Sequence, residues 1–198
     1  VSVRTARRHG PMCRTRRLGC GRSGEVKRMA DGVLLDTSYL ITLADKNRDH
    51  HETARRYWQY FVENDITIYL STIVVSEFSV KQAIPPDILR CCIVLPFNWD
   101  DALRAAALDW KRVRPDGVER DALKDDIKII AQAAIADAAY VVTADERSFY
   151  RFCETFKSAA EISFKPIQLA AGFDRAAFDE NGQSDFEDML DVKNKTEL

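Results

Sequence analysis

Short apolar runs alternate along the chain with longer segments whose apolar residues recur at three- and four-residue steps. The short runs predict buried strands, and the periodic segments predict amphipathic helices. Strands are predicted at 33–35, 66–70, 93–97, 140–143 and 162–169. Helices are predicted at 39–44, 49–63, 72–82, 100–113, 122–137 and 148–156, with a break at Pro85-Pro86. This alternation predicts an α/β fold whose mainly parallel sheet is covered on both faces.

The periodicity also assigns a buried face to two of the helices, and the hydroxyl residues after the first strand assign a cap. Thr37 or Ser38 is predicted to cap the first helix. The residues predicted to face the core are Ala54, Tyr57, Trp58, Phe61 and Val62 in one helix and Leu103, Ala106, Ala107 and Trp110 in the other.

Charge divides the chain into three parts, although the formal net charge is only -2. Residues 1–30 carry nine Arg or Lys against one acid and have no apolar periodicity, which predicts a disordered basic arm. Met29 would serve as a start, so we favour an arm outside the natural protein over one that holds phosphate backbones. The globular domain is predicted at 31–172, and an acidic tail at 173–198.

The length of the apolar runs and the number of cysteines indicate in which cellular compartment the protein is found. No run approaches the roughly eighteen apolar residues of a membrane helix, and no signal-peptide core follows the basic start. The five cysteines are odd in number, and Cys91 and Cys92 are adjacent. We therefore expect reduced thiols, a cytoplasmic protein and no membrane partner.

Acidic residues recur where strands end and where helices begin. Asp36 ends the first predicted strand, and Asp145 follows the strand 140–143. Glu77 lies among apolar residues of a helix, while Asp125 and Asp126 open another. Taken singly, each has a local explanation, because acids cap helices and favour their N-termini.

Taken together, the acids predict a metal site. If the two strands are neighbours in a parallel sheet, their carboxyl ends meet at the edge where such sheets bind ligands. Carboxylates that converge there repel one another unless a divalent cation compensates their charge. Oxygen ligands without His or Cys suit Mg²⁺ or Mn²⁺, which assist phosphoryl displacement.

In order and spacing, these segments resemble the four motifs of PIN domains over about residues 33–169. The matching segments are Leu34-Leu35-Asp36-Thr37-Ser38, the helix around Glu77, Asp126-Ile127-Lys128-Ile129-Ile130-Ala131-Gln132-Ala133 and Val141-Val142-Thr143-Ala144-Asp145. The resemblance implies a three-layer α/β/α sandwich and a metal-dependent endoribonuclease acting on single-stranded RNA. Bacterial proteins of this kind are commonly VapC-like toxins, which a cognate antitoxin inhibits and which form homodimers. The chain departs from the compact toxins in its long region 85–120 and in its two terminal extensions.

The resemblance also implies the roles of individual residues. Asp36, Glu77, Asp126 and Asp145 would hold Mg²⁺ or Mn²⁺, with Asp125 as the alternative third acid. Ser38 and Thr143 would line the site. At the rim, the basic residues Arg55, Lys81, Arg147 and Arg151 would contact phosphates, and Tyr39 or Trp58 would stack on a base.

Two other functions use parts of the same pattern. An aspartyl-phosphate phosphatase or receiver also has a strand-end Asp, but the phosphatase needs a second Asp where this chain has Ser38. A PIN-like module that only binds RNA or protein needs no catalytic acids, whereas this chain keeps all four. A nuclease therefore remains the favoured hypothesis.

Overall fold

The computed structural model describes residues 32–109 and 120–178, and of residues 120–122 only the backbone. These residues form five strands: β1 Val33–Leu35, β2 Ile68–Ser71, β3 Cys92–Leu95, β4 Tyr140–Thr143 and β5 Lys165–Gln168. They also form seven α-helices: α1 Thr37–Ala44, α2 His51–Glu63, α3 Thr72–Ser79, α4 Pro86–Cys91, α5 Trp99–Ala107, α6 Arg120–Ile135 and α7 Phe149–Ser158. Two 3₁₀ turns, Leu169–Ala171 and Arg175–Phe178, follow β5.

The five strands pair in parallel in the order β3-β2-β1-β4-β5, so β1 is central. In the register of the sheet, Leu35 lies opposite Leu70 of β2 and Val142 of β4. The carboxyl ends of these three strands therefore lie side by side, and residues that follow them share one edge of the sheet.

Apolar side chains cover both faces of the sheet, because successive residues of a strand point to opposite faces. Leu34 belongs to a core cluster with residues of α3, α6 and α7. Val33 and Leu35 belong to a second cluster, which contains Tyr57 and Phe61 of α2. The parallel sheet between two helical layers confirms the predicted three-layer α/β/α sandwich.

The predicted buried face of α5 is wrong. Leu103 is 54% exposed, and Ala106 and Ala107 are exposed as well. A capping box sets the orientation of this helix: Asn98 accepts from the amide of Asp101, and the Asp101 carboxylate accepts from the amide of Asn98. Asp101 is thereby buried, and a residue two positions further on points to the opposite side. Trp110 lies outside the described residues.

Other predictions differ from the structure locally. Val62 of α2 is 46% exposed, because the buried stripe of this helix runs through Ala54, Tyr57 and Phe61. Pro86, predicted to lie in a break, opens helix α4 instead. Proline is tolerated in the first turn of a helix because its missing N–H has no helical partner there.

Aromatic packing continues past residue 172, where the sequence places the end of the domain. The ring centroid of Phe173 lies 4.9 Å from that of Tyr57, and Phe178 lies 4.7 Å from Tyr140. Arg56 lies over the Phe173 ring at 4.6 Å. The predicted basic arm and most of the predicted acidic tail lie outside the described residues. Of the helices in the described part of the chain, none is long and apolar enough to cross a membrane.

Candidate active site

Asp36 follows β1 and is nearly buried, with 4% of its surface exposed. Its Oδ2 accepts hydrogen bonds from the hydroxyl of Thr143 at 2.8 Å, the hydroxyl of Ser38 at 2.5 Å and the amide of Ser38 at 3.2 Å. The last of these bonds caps helix α1. The predicted cap at Thr37 or Ser38 is therefore wrong, because the helix begins at Thr37, two residues before the predicted start, and Asp36 precedes it.

The hydroxyls of Ser38 and Thr143 connect Asp36 to the loop after β4. Ser38 Oγ accepts from the amides of Ala144 at 2.9 Å and Asp145 at 3.1 Å, and Thr143 Oγ1 accepts from Asp145 at 2.9 Å. Because these oxygens are occupied as acceptors, their hydrogens are available to Asp36. The two residues predicted to line the site thus hold its first carboxylate in place.

Burial raises the pKa of Asp36, and the hydrogen bonds from Ser38 and Thr143 offset part of that rise. Burial penalises the charged form because it removes water, whereas donated hydrogen bonds favour that form. The hydroxyls and amides that donate to Asp36 therefore favour the charged form that burial disfavours.

Glu77 lies half-buried on α3, where the hydroxyl of Thr37 donates a hydrogen bond to its Oε2. Burial is the main cause that raises the pKa of Glu77, and the Thr37 hydrogen bond opposes it. The negative charges of Asp36 and Asp125 raise this pKa further, and Lys128 lowers it. The α3 glutamate is therefore electrostatically coupled to the end of β1.

Asp126 of α6 is the electrostatic centre of the acids. Burial raises its pKa to about 8, with further increases caused by Asp36, Asp145, Glu77 and Asp125 in that order. The pKa of Asp126 is therefore raised by each of the other acids that the sequence assigns to the site. Of the two adjacent acids, Asp126 is the one whose pKa the other acids raise, and its preference over Asp125 as the third ligand stays a prediction.

Asp145 differs from the other three acids because its carboxylate is fully engaged at the start of α7. Burial alone would raise its pKa, but hydrogen bonds from Ser148, Arg147 and Phe149 lower it below the ordinary value. Its Oδ1 accepts from the amides of Arg147 at 2.9 Å and Ser148 at 3.0 Å. Its Oδ2 accepts from the Ser148 hydroxyl and, at 3.4 Å, from the Phe149 amide. These bonds hold the turn that precedes α7, whose N-cap residue is Ser148 rather than Asp145.

Asp125 forms an ion pair on the surface of α6, with Lys128 Nζ 2.7 Å from its Oδ1. Both side chains are partly exposed, at 38% and 40%. Asp125 contributes to the electrostatic field at Glu77 and Asp126. Its carboxylate is thus engaged by a cation of the chain itself.

The donor set suits a hard divalent cation, because every candidate ligand is a carboxylate oxygen and the site has surplus negative charge. Within residues 32–109 and 120–178, however, no group of three or more His, Cys, Asp and Glu side chains is close enough to hold a metal ion. The residues present nonetheless fit a divalent cation in donor chemistry and in charge.

The four basic residues predicted for the rim are all exposed. Arg147 lies nearest to the acids in sequence, since its amide donates to Asp145. Arg55 forms an ion pair with Glu52 at 3.2 Å on the surface of α2. Lys81 follows α3, and Arg151 lies on α7. Contact between these side chains and RNA remains a prediction.

The two residues predicted to stack on a base, Tyr39 and Trp58, differ in their exposure. Tyr39 is fully buried, and its hydroxyl donates to the carbonyl of Ala54 at 3.0 Å, so the prediction that it stacks on a base is wrong. Helix α1 turns this ring into the core of the sandwich. Trp58 is partly buried and packs against both core clusters.

Two residues at the site were not predicted from the sequence. The hydroxyl of Thr37 donates a hydrogen bond to Glu77, and Lys128 forms an ion pair with Asp125. The second pair had a visible signal, because an acid and a lysine three residues apart are neighbours on a helix surface. The first had none, because the two residues are 40 positions apart.

Comparisons with known proteins give structural likenesses only. No protein-family model matches the chain, and no curated protein matches it. Among solved structures, the chain is similar to VapBC2 from Rickettsia felis bound to a DNA fragment from its promoter, with a TM-score of 0.47 and 15% identity. That match covers 68% of this chain and 97% of the other.

Two further solved structures are similar to the same extent. One is VapC20 of Mycobacterium tuberculosis, a toxin that cleaves the sarcin-ricin loop, with a TM-score of 0.47 and 18% identity over 68% of this chain and all of the other. The second is DNA-bound VapBC from Salmonella typhimurium, with a TM-score of 0.45 and 16% identity over 68% and 97%. Likenesses at this level of sequence identity and TM-score concern the fold of the chain and not its function.

Proposed function

We propose that the chain is a divalent-cation-dependent endoribonuclease that hydrolyses phosphodiester bonds in single-stranded RNA. What supports this proposal is the hydrogen-bond network at the carboxyl ends of β1 and β4, where Ser38 and Thr143 connect Asp36 to the loop of Asp145 and Thr37 bonds to Glu77, while Asp126 is electrostatically coupled to all three acids. The resemblance of the same segments to PIN motifs supports RNA as the substrate class. It also implies a homodimer and an antitoxin as protein partners, as in VapC-like toxins.

Asp36, Glu77 and Asp126 would hold Mg²⁺ or Mn²⁺. When bound, such an ion stabilises the attacking and leaving oxygens of a phosphoryl displacement and lowers the pKa of a water. Asp145 contributes negative charge to Asp126 from the turn before α7, and its oxygens already accept hydrogen bonds from that turn. We therefore assign it a weaker part in holding the ion than its position in the motif implies.

The remaining groups of the site orient the carboxylates. The hydroxyls of Ser38 and Thr143 favour the charged form of Asp36 and fix its Oδ2. Thr37 fixes one oxygen of Glu77. Asp126 has to lose the proton that burial and its neighbours favour before it can act as a ligand. No side chain of the chain forms a covalent intermediate in this mechanism.

The phosphatase alternative is less compatible with the site. A phosphorylated aspartate needs a free carboxylate oxygen with access to the phosphoryl donor. Asp36 is nearly buried, which restricts the access of a phosphoryl donor, and the position two residues further on is Ser38 instead of a second Asp. The binding-module alternative leaves the mutual coupling of four acids without a role.

Cleavage of a fluorescent single-stranded RNA, with Mg²⁺ or Mn²⁺ and after chelation with EDTA, tests the proposal. We expect cation-dependent cleavage by the wild type and none by Asp36→Asn. The asparagine oxygen can still accept the bonds from Ser38 and Thr143, so this variant should fold. Asp87→Asn is the matched control, because Asp87 is an exposed acid on α4, at the opposite edge of the sheet. Cleavage by Asp36→Asn at the wild-type rate would refute the proposal.

A further inference from the structure

Helix α6 carries a cation beside the acids that are proposed to bind one. Lys128 Nζ lies 2.7 Å from Asp125 Oδ1, and both side chains remain partly exposed. The charge of Lys128 acts on Glu77, which lies on a different helix. Helix α3, which carries Glu77, packs directly against α6, so the ammonium group lies on the helix next to that of Glu77 and is partly exposed to solvent.

Stability does not explain this ion pair. Exposed pairs three residues apart on a helix stabilise a fold only weakly. An ammonium next to acids also disfavours the binding of a divalent cation, since like charges repel. The partly exposed ammonium of Lys128 is available to an incoming anion.

The proposed substrate supplies such an anion. A single-stranded RNA has to bring its phosphates to an edge of the sheet with surplus negative charge. A fixed ammonium at the border of that charge offsets the repulsion and contacts a phosphate oxygen directly. Lys128 differs from the exposed rim residues Arg147 and Arg151 because its position is set by an ion pair and lies beside Glu77.

Asp125 then has a role that differs from that of its neighbour in the sequence. It keeps the flexible lysine side chain over the first turns of α6, so that less freedom is lost when a phosphate binds. The two adjacent acids would thus have different roles. Asp126 belongs to the carboxylate cluster, and Asp125 orients Lys128, the residue that contacts the substrate.

We propose that Lys128, oriented by Asp125, contacts a backbone phosphate of the RNA beside Glu77. The inference rests on the proposed nuclease function and deepens it by naming a substrate-contacting residue and its positioning residue. It makes no use of Lys128 in the chemical step.

The salt dependence of RNA binding tests the contact directly. Binding of a single-stranded oligonucleotide is measured in the Asp36→Asn background, which leaves the RNA intact, from about 50 to 200 mM salt. Adding Lys128→Gln should weaken binding several-fold and reduce the slope of log K against log salt by about 0.7, the value of one lost phosphate contact. Lys128→Arg should keep the slope, and Asp125→Asn should weaken binding to a smaller extent.

The matched control is Arg90→Gln, which removes a cation from a similar exposed ion pair on α4, at the opposite edge of the sheet. It should leave both affinity and slope unchanged. In the active background, Lys128→Gln should raise KM with little change in kcat, because the contact exists in both ground and transition states.

An unchanged slope in Lys128→Gln, or an equal loss in Arg90→Gln, would overturn the inference. Failure of the proposed function is a separate result, namely no RNA cleavage by the wild type under any cation. If Lys128→Gln does not fold, Lys128→Met, which also removes the charge, keeps the test decisive: it should show the reduced slope, whereas Lys128→Arg should keep the wild-type slope.

Discussion

The hydroxyl of Thr143 donates a hydrogen bond to Oδ2 of Asp36 over 2.8 Å, which joins the carboxyl ends of adjacent strands β4 and β1. The same hydroxyl oxygen accepts from the amide of Asp145. One threonine therefore couples the position of the first acid to the loop that carries the fourth. The alignment of the site depends on this side chain as well as on the backbone.

Thr143→Val should destabilise the fold and further raise the pKa of Asp36. Valine keeps the shape but removes a donor to a buried carboxylate, a loss of about 1–3 kcal/mol. Urea unfolding at neutral pH measures this loss. The control is Thr155→Val on α7, whose hydroxyl donates only to the carbonyl of Arg151 in its own helix. Equal stability losses in the two variants would show that the bond to Asp36 has no special value.

Asp126→Asn should remove much of the pH dependence of stability in the cation-free protein. The pKa of Asp126 is raised to about 8 in the folded state, so the folded protein holds a proton that the unfolded chain releases near pH 4. The protonated side chain therefore contributes stability at low pH, and this contribution is lost as the pH rises through about 8.

Asparagine resembles the protonated acid, so Asp126→Asn should match the wild type near pH 4 and exceed it in stability by a growing amount as the pH rises to about 8. Urea unfolding in EDTA between these pH values measures the difference. Asp137→Asn, an exposed acid beyond the end of α6, should follow the wild-type profile. If Asp126→Asn lost stability with pH as steeply as the wild type, the cluster would not be coupled as described.

Asp145 allows its hydrogen bonds and its charge to be separated by two substitutions. Asp145→Ala loses the acceptor for the amides of Arg147 and Ser148 in the turn before α7 and, like the loss of a helix cap, should cost about 0.5–2 kcal/mol. Asp145→Asn keeps an acceptor oxygen and should cost less, because asparagine caps nearly as well. Both remove a negative charge near Asp126 and should lower its pKa. Chemical denaturation and NMR titration of the Asp126 carboxyl measure the two effects, and equal stability of the two variants would argue against a role for these hydrogen bonds.

The sheet and the placement of the acids could be predicted because they depend on local patterns. The run 140–143 was assigned with the observed bounds, since four successive buried apolar or hydroxyl residues leave little alternative to a covered strand. Once β1 and β4 are parallel neighbours, Asp36 and Asp145 have to share an edge. Predictions from such local patterns do not depend on contacts between residues that are far apart in the chain.

The hydrogen bonds that orient the site could not be predicted, because their partners are far apart in the chain. Thr143 and Asp36 are separated by 107 positions, and Thr37 and Glu77 by 40. Tyr39 was assigned to the wrong environment for the same reason, since its burial depends on the carbonyl of Ala54 in the next helix. The sequence contains the residue types of the site but not their contacts.

Gly32, directly before β1, should not tolerate alanine. Its φ is +92°, and an added Cβ would lie 2.5 Å from Cε2 of Tyr69 and 3.1 Å from the carbonyl oxygen of Thr67. Gly172 has a similar φ of +86°, but an added Cβ there would meet no atom within 4 Å. Both alanine variants have strained backbones, at a cost of about 1–3 kcal/mol each.

Only Gly32→Ala adds overlap with the ring and with the backbone of the segment before β2, so it should lose clearly more stability than Gly172→Ala. Gly32→Ala should also lower the RNA-cleaving activity, because Gly32 directly precedes β1, the strand that positions Asp36. Urea unfolding of the two variants measures the difference, and RNA cleavage by the fraction that remains folded follows its effect on the site. Equal losses would mean that backbone strain alone governs Gly32 and that the Tyr69 ring moves aside without cost.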